Sequence, residues 1–177
     1  HEEGFCHLND VAVAIKKLQQ EGKAKKVMIV DLDVHHGNGN AYIFQDDHSV
    51  FTFDIYQEDN YPGKKFPMDC PIPLLSTKGI DDTCYLTELR KHLRPSLDRF
   101  RPDLVFVVAG ADPFKDDQLG EFKLTHQGLE ERDRHVLDST RSLGIPTVVV
   151  LGGGYARNIA DTVKVHYNTA RIVAEKT

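Results

Sequence analysis

The segment VMIVDLDVHHGNGN, residues 27–40, decides the fold. Four apolar residues suited to a buried parallel strand run directly into Asp31, Asp33, His35 and His36. Such a strand places its final side chains at the carboxyl edge of a sheet, where open α/β sheets bind ligands. Because Asp33 and His35 are two residues apart, their side chains leave an extended backbone on the same face and can reach one ion. The alternative is that Asp31 and Asp33 cap a following helix and that the histidines are polar loop residues.

Length and composition favour one domain, residues 1–177, with 22 Lys and Arg against 27 Asp and Glu and a net charge of −5. This balance argues against direct nucleic-acid binding, which requires a basic face. The cysteines Cys6, Cys70 and Cys84 are odd in number and widely spaced, which predicts a reducing compartment without disulfides. Short apolar runs and an N-terminus unlike a signal peptide predict no membrane segment and a cytoplasmic protein, or a nuclear one in a eukaryotic cell.

Apolar patterning predicts strands that alternate with helices. The predicted strands are 27–32, 50–55, 104–108 and 147–151, and the predicted helices are 11–20, 39–44, 81–100, 125–144 and 159–174. Pro95 is expected to kink or split the third helix. Residues 57–73 are predicted to form a loop, because Pro67, Pro71 and Pro73 oppose regular structure. The alternation predicts a three-layer αβα domain with a mainly parallel sheet.

Unusual residues follow three of the predicted strands at the same edge of the sheet: DLDVHH (31–36), AGAD (109–112) and GGGY (152–155). Two carboxylates and one imidazole, from Asp33, His35 and Asp112, match a catalytic divalent-metal site such as one for Zn²⁺. A two-metal hydrolase would need more carboxylates, and Ala111 stands where a second acid would be expected beside Asp112. The sequence therefore favours one metal ion. Tyr155 is either a packed aromatic in a turn or a neutral phenol that donates a hydrogen bond to an oxyanion.

Several motifs together resemble the zinc-dependent histone deacetylase family, which includes acetoin-utilisation and acetylpolyamine amidohydrolase proteins and has the arginase-like fold. The matching motifs are GFC (4–6), LND (8–10), DLDVHHGNG (31–39), GAD (110–112), DQL (117–119) and GGGY (152–155). They follow the family order over nearly the whole chain. The motifs DIY (54–56) and YPG (61–63) resemble the bacterial or class IV branch most closely.

The resemblance implies a role for each matching residue. Asp33, His35 and Asp112 would hold Zn²⁺, and Tyr155 would stabilise the tetrahedral intermediate. The residues implied for the acyl-lysine tunnel are Phe5 and Tyr61 as its flanks, Leu119 at its mouth, and Gly153. The residues implied for a monovalent-cation site, with K⁺ as the candidate ion, are Asp31, Asp33, His35, Asp54 and Ile55.

Two departures from the family pattern affect the expected chemistry. Position 38 is Asn, where many members have an Asp that orients a catalytic histidine. The tandem histidines that serve as general base and acid are expected upstream of Gly4, and His1 matches the loop after that pair better than either member of it. We therefore expect the N-terminal part of the fold to be missing from these residues, which alone should be poorly active.

Three functions are compatible with the sequence. The first is a zinc-dependent amidohydrolase that removes an acetyl or other acyl group from an amine, with an acylated protein lysine, polyamine or small molecule as the substrate. The second is an arginase-like ureohydrolase with two metal ions, which the single acid at position 112 disfavours. The third is a truncated or degenerate member that binds metal without turnover.

Overall fold

A computed structural model describes residues 4–176, with the backbone alone at residue 176, so the comparison made above for His1 lies outside the described residues. One parallel sheet has the strand order β3-β2-β1-β4-β5. The strands are β1 (Val27–Asp31), β2 (Val50–Gln57), β3 (Cys70–Leu74), β4 (Leu104–Ala109) and β5 (Thr147–Leu151). The helices are α1 (Asp10–Gln20), α2 (Asn38–Phe44), α3 (Asp82–Phe100), α4 (His126–Ser142) and α5 (Ile159–Lys176), with a 3-10 turn at Ser76–Lys78.

The central strand β1 is buried on both faces, as its continuous apolar sequence predicts. Its residues alternate between two hydrophobic clusters. Val27 and Ile29 pack with residues of α1 and α2, whereas Met28 and Val30 pack with residues of α3 and α4. Helices therefore cover both faces, and the predicted three-layer αβα architecture is confirmed. Among the described residues, the structure has no helix that is both long and apolar enough to cross a membrane.

One prediction based on proline was wrong, and a second was wrong in so far as it expected a split helix; a kink at Pro95 stays a prediction. The predicted loop contains β3, in which Pro71 pairs with Asp54 and Pro73 with Tyr56 of β2. An edge strand tolerates proline because one side of its backbone has no strand to pair with. The helix α3 is not split at Pro95, whose ring lies on the exposed side while Leu93 and Leu97 are buried. Burial of the apolar stripe outweighs the loss of one backbone hydrogen bond.

Candidate metal centre

Two neighbouring strand ends supply the acids of the predicted metal site. Asp33 follows β1 and Asp112 follows β4, and the backbone N–H of Val34 donates to Asp112 Oδ1 at 2.9 Å. His35 Nδ1 lies 2.9 Å from Asp33 Oδ1 and 3.2 Å from Asp112 Oδ2. One potential ligand atom from each of Asp33, His35 and Asp112 lies within 4.8 Å of the others. The structure thus brings the three predicted ligands together.

The electrostatics of this group fit a bound cation. Asp112 is 0% exposed, and its buried Oδ2 has His35 Nδ1 nearby at 3.2 Å without a well-formed hydrogen bond. Burial and the charge of Asp33 raise the pKa of Asp112 to about 7. Burial opposes protonation of His35, but Asp112 and Asp33 outweigh it and raise the His35 pKa to about 10. His35 Nδ1 is the nitrogen that faces both carboxylates, and a divalent cation held by these three side chains would balance the charge of the two acids.

The backbone of the GGGY segment closes one side of the site. Gly153 N–H donates to Asp33 Oδ2 at 2.8 Å, and Gly153 C=O accepts from Ala111 N–H at 2.6 Å. A Cβ at Gly153 would lie within 3.0 Å of both Asp33 Oδ2 and Asp112 Oδ2. Only glycine allows the end of β5 to approach the carboxylates this closely. The predicted tunnel residue Gly153 therefore lies directly beside the metal ligands.

Three aromatic side chains surround this centre. The Tyr155 and Tyr61 rings lie 6.5 Å and 6.4 Å from the His35 ring, and Phe5 lies 5.9 Å from Tyr155, measured between centroids. Leu119 C=O accepts from the Asn60 side chain at 2.7 Å, which ties it to the segment before Tyr61. Phe5 is 83% exposed, so within residues 4–176 the rings border an open cleft. Their tunnel roles stay predictions.

The Tyr155 phenol is suited to donate a hydrogen bond. Burial, followed by the charges of Asp112 and Asp33, raises its pKa to about 12. The hydroxyl therefore keeps its proton at neutral pH and can donate to a negatively charged oxygen.

Asp117 is a site residue to which the sequence reasoning gave no role. Its Oδ2 accepts from Tyr155 N–H at 2.6 Å, and its Oδ1 accepts from Leu119 N–H at 2.8 Å and Gly120 N–H at 2.9 Å. Gln118 adds backbone and side-chain donors to Tyr155 C=O. One buried carboxylate therefore fixes the backbone of both Tyr155 and Leu119. The only signal in the sequence was its place in the DQL motif.

A second acidic pair lies behind the metal ligands. Asp31 and Asp54 face each other across β1 and β2, and burial is the main cause that raises both pKa values well above the usual carboxyl range. Asp54 Oδ2 accepts from Gly37 N–H at 2.9 Å, while Asp54 Oδ1 has no donor. Ile55 is the next residue along β2. Buried oxygen atoms of this kind fit a cation, and the monovalent-cation site stays a prediction.

The His36 ring contacts Asp54 of this second acidic pair. Its Nδ1 lies 3.1 Å from Asp54 Oδ2, and its Nε2 accepts from Phe66 N–H at 3.0 Å. Burial and the charge of Lys65 lower its pKa to about 4. Both ring nitrogens are therefore engaged away from the Asp33 carboxylate.

A family model described as "Histone deacetylase domain" matches residues 1–170. The chain belongs to this family, and the resemblance noted in the motifs is confirmed. An uncharacterized protein of Picosynechococcus sp. is 47% identical over 163 residues, which are 92% of this chain and 54% of that protein. Histone deacetylase 2 of Arabidopsis thaliana is 34% identical over 169 residues, which are 91% of this chain and 43% of that protein. The chain thus spans about half the length of these relatives.

Solved structures share the same fold. The HD domain of HDA15 superposes with a TM-score of 0.82 at 29% identity, over 98% of this chain and 52% of that chain. The acetylpolyamine aminohydrolase from Burkholderia pseudomallei gives a TM-score of 0.79 at 25% identity, over 96% of this chain and 50% of that chain. The fold is therefore that of the deacetylase family.

Proposed function

We propose that this chain carries the metal centre of a zinc-dependent amidohydrolase that removes an acetyl or other acyl group from an amine. The observation that carries the proposal is the convergence of Asp33, His35 and Asp112 beside the protonated phenol of Tyr155. Two carboxylates and one imidazole leave coordination positions for water and substrate, as catalytic zinc sites do. One acid at the end of β4, followed by Pro113, favours one metal ion over two.

The proposed substrate is an acylated lysine of a protein or an acylated polyamine. The names of two similar proteins support this class, since one is a histone deacetylase and the other an acetylpolyamine aminohydrolase. The ring of Phe5 lies beside Tyr155 and the ring of Tyr61 lies beside His35, so both offer apolar surface next to the site. Aromatic faces can desolvate the methylene stem of an acylated amine at a small entropic cost.

Each residue of the site has a distinct proposed role. Asp33, His35 and Asp112 would hold the ion, and Gly153 N–H holds Asp33 Oδ2 in place. A bound zinc ion would supply Lewis-acid polarisation of the amide carbonyl and would acidify water. Tyr155 donates to the oxygen on which charge develops. Asp117 fixes the Tyr155 backbone at the position from which the phenol donates.

The general base and acid are not assigned to the residues of the candidate metal centre. His36 has both ring nitrogens engaged with Asp54 and Phe66, so it is not proposed as the general base. We assign that role to the tandem histidines that the family resemblance places before Gly4. Asp31 and Asp54 are proposed to hold a monovalent cation such as K⁺ with the neighbouring backbone, which would neutralise part of the buried charge.

The test uses the natural full-length protein, loaded with zinc, on an acetyl-lysine peptide and on an acetylated polyamine. Tyr155→Phe should lower kcat by about 10²–10³-fold, the usual cost of losing an oxyanion donor, with unchanged zinc content. Tyr167→Phe is the matched control, because Tyr167 is exposed on α5. Failure of the wild-type protein to hydrolyse either substrate would favour a metal-binding member without turnover. Equal kcat for Tyr155→Phe and wild type would remove the role of Tyr155.

A further inference from the structure

Arg132 of α4 is a buried cation that contacts the ends of two strands. It is 0% exposed, although arginine is rarely fully buried in proteins. Its Nη1 donates to Leu32 C=O at 3.2 Å and to Gly110 C=O at 2.7 Å. These carbonyls lie just past β1 and β4. One guanidinium nitrogen therefore links the backbone of the two adjacent strand ends.

The linked carbonyls lie next to the metal ligands in the chain. Leu32 directly precedes Asp33, and Gly110 lies two residues before Asp112. The separation of the two carboxylates depends on how the strand ends are held. The pairing of β1 with β4 ends at Asp31 and Val108, and one further backbone bond runs from Leu32 N–H to Val108 C=O at 3.0 Å. Arg132 connects the two strand ends from the face of the sheet that α4 covers, through the carbonyls of Leu32 and Gly110. On the site itself, Val34 N–H donates to Asp112 Oδ1 across the two strand ends.

The carboxylate of Asp133 compensates the charge of the Arg132 guanidinium. Its Nε and Nη2 each lie 2.9 Å from Asp133 Oδ1, and Asp133 Oδ2 accepts from the Thr169 hydroxyl of α5 at 2.6 Å. Burial opposes the charge of Arg132, but Asp133 and other groups, including Asp112, raise its pKa. Replacing a buried ion pair with apolar residues often leaves stability unchanged or increases it, so packing alone does not require a guanidinium here.

We propose that Arg132 is a positioning residue of the metal centre. It sets the spacing of Asp33 and Asp112 by holding the carbonyls of Leu32 and Gly110, with Asp133 and Thr169 fixing the guanidinium. The inference rests on the proposed metal site. It concerns metal affinity before any substrate is bound, and its test is therefore separate from a test of the deacylation reaction.

The test compares Arg132→Met and Arg132→Lys with Arg134→Met in the natural full-length protein. Arg134 lies two residues further along α4 and pairs with Glu175 at the surface, so it controls for the loss of an arginine from the same helix. Zn²⁺ affinity is measured by competition with a chromophoric chelator, and the ligand field by the visible absorption of bound Co²⁺. Thermal unfolding of the metal-free proteins identifies a temperature at which each variant is folded.

Arg132→Met should weaken Zn²⁺ binding by about 10–100-fold, the usual effect of removing a residue that orients metal ligands, and should shift the Co²⁺ spectrum. Arg132→Lys keeps the charge but cannot reproduce the planar fork, so its Zn²⁺ affinity should fall between those of Arg132→Met and wild type. Arg134→Met should bind both ions as wild type does. If Arg132→Met does not fold, Arg132→Lys decides the matter by the same measurement. Wild-type affinity and spectrum in a folded Arg132 variant would overturn the proposal, because a purely structural role would change the melting temperature alone.

Discussion

Gly153→Ala should disrupt the metal centre without removing any ligand. The added Cβ would lie 2.9 Å from Asp33 Oδ2 and closer still to Asp112 Oδ2, whereas ordinary contacts begin at 3.4 Å. The Asp33 carboxylate would therefore have to withdraw by about 0.5 Å and the Asp112 carboxylate by more than about 1 Å, while a metal-ligand distance tolerates only about ±0.2 Å. We expect Zn²⁺ affinity to fall by about 100-fold, which corresponds to about 2.8 kcal/mol.

The assay is chelator competition for Zn²⁺, with Gly63→Ala as the matched control. Gly63 has no atom within 4 Å of an added Cβ and is not in the left-handed region, so this variant should bind Zn²⁺ as wild type does. Overpacking at Gly153 should also cost about 1–3 kcal/mol of unfolding free energy in the metal-free protein. Zn²⁺ affinity of Gly153→Ala within about threefold of wild type would show that the backbone of the GGGY segment does not confine the carboxylates, and the reasoning would fail.

Three further predictions concern the acids and His36. Asp112→Ala should lose bound zinc, whereas Asp116→Ala, with an exposed side chain, should keep it; elemental analysis that finds full zinc in Asp112→Ala would contradict the site. Burial and Lys65 lower the pKa of His36 to about 4, below its ordinary 6.5, so the unfolded state takes up the proton first. The unfolding free energy should therefore decrease as the pH falls from 6.5 to about 4, because protonation of His36 then stabilises the unfolded state. Denaturant titrations should show a smaller decrease in His36→Asn. K⁺ should raise the melting temperature of the wild-type protein above its value in choline chloride of equal ionic strength, and an undiminished K⁺ effect in Asp54→Asn would count against the proposed cation site.

The parts of the fold and site that the sequence predicts are those encoded by short-range patterns. Asp33 and His35 come together as their spacing predicts, although they lie just past the end of β1 and not in the strand, and the approach of Asp112 follows from the rule that parallel strands end at one edge. The core strands were predicted for the same reason, since a doubly buried strand has a continuous apolar sequence.

The parts that were not predicted depend on tertiary position. Pro71 and Pro73 oppose a central strand but not an edge strand, and the sequence does not state which strand lies at the edge. Arg132 lies in a charged helical segment whose sequence is typical of a solvated face, yet the packing of α4 buries it completely. Asp117 acts through backbone groups that come near it only after the chain has folded.

The buried acids at the carboxyl edge of the sheet make folding depend on the supply of cations. Asp31, Asp54 and Asp112 are buried within mutual electrostatic range, which penalises the folded state whenever their charges lack a counter-ion. Any cation that binds only the folded chain should add about 1.4 kcal/mol of stability for each tenfold rise in its free concentration above Kd. We therefore expect that a shortage of metal ions shortens the lifetime of the protein in a cell as well as emptying its metal site, because proteases remove the forms that unfold most readily.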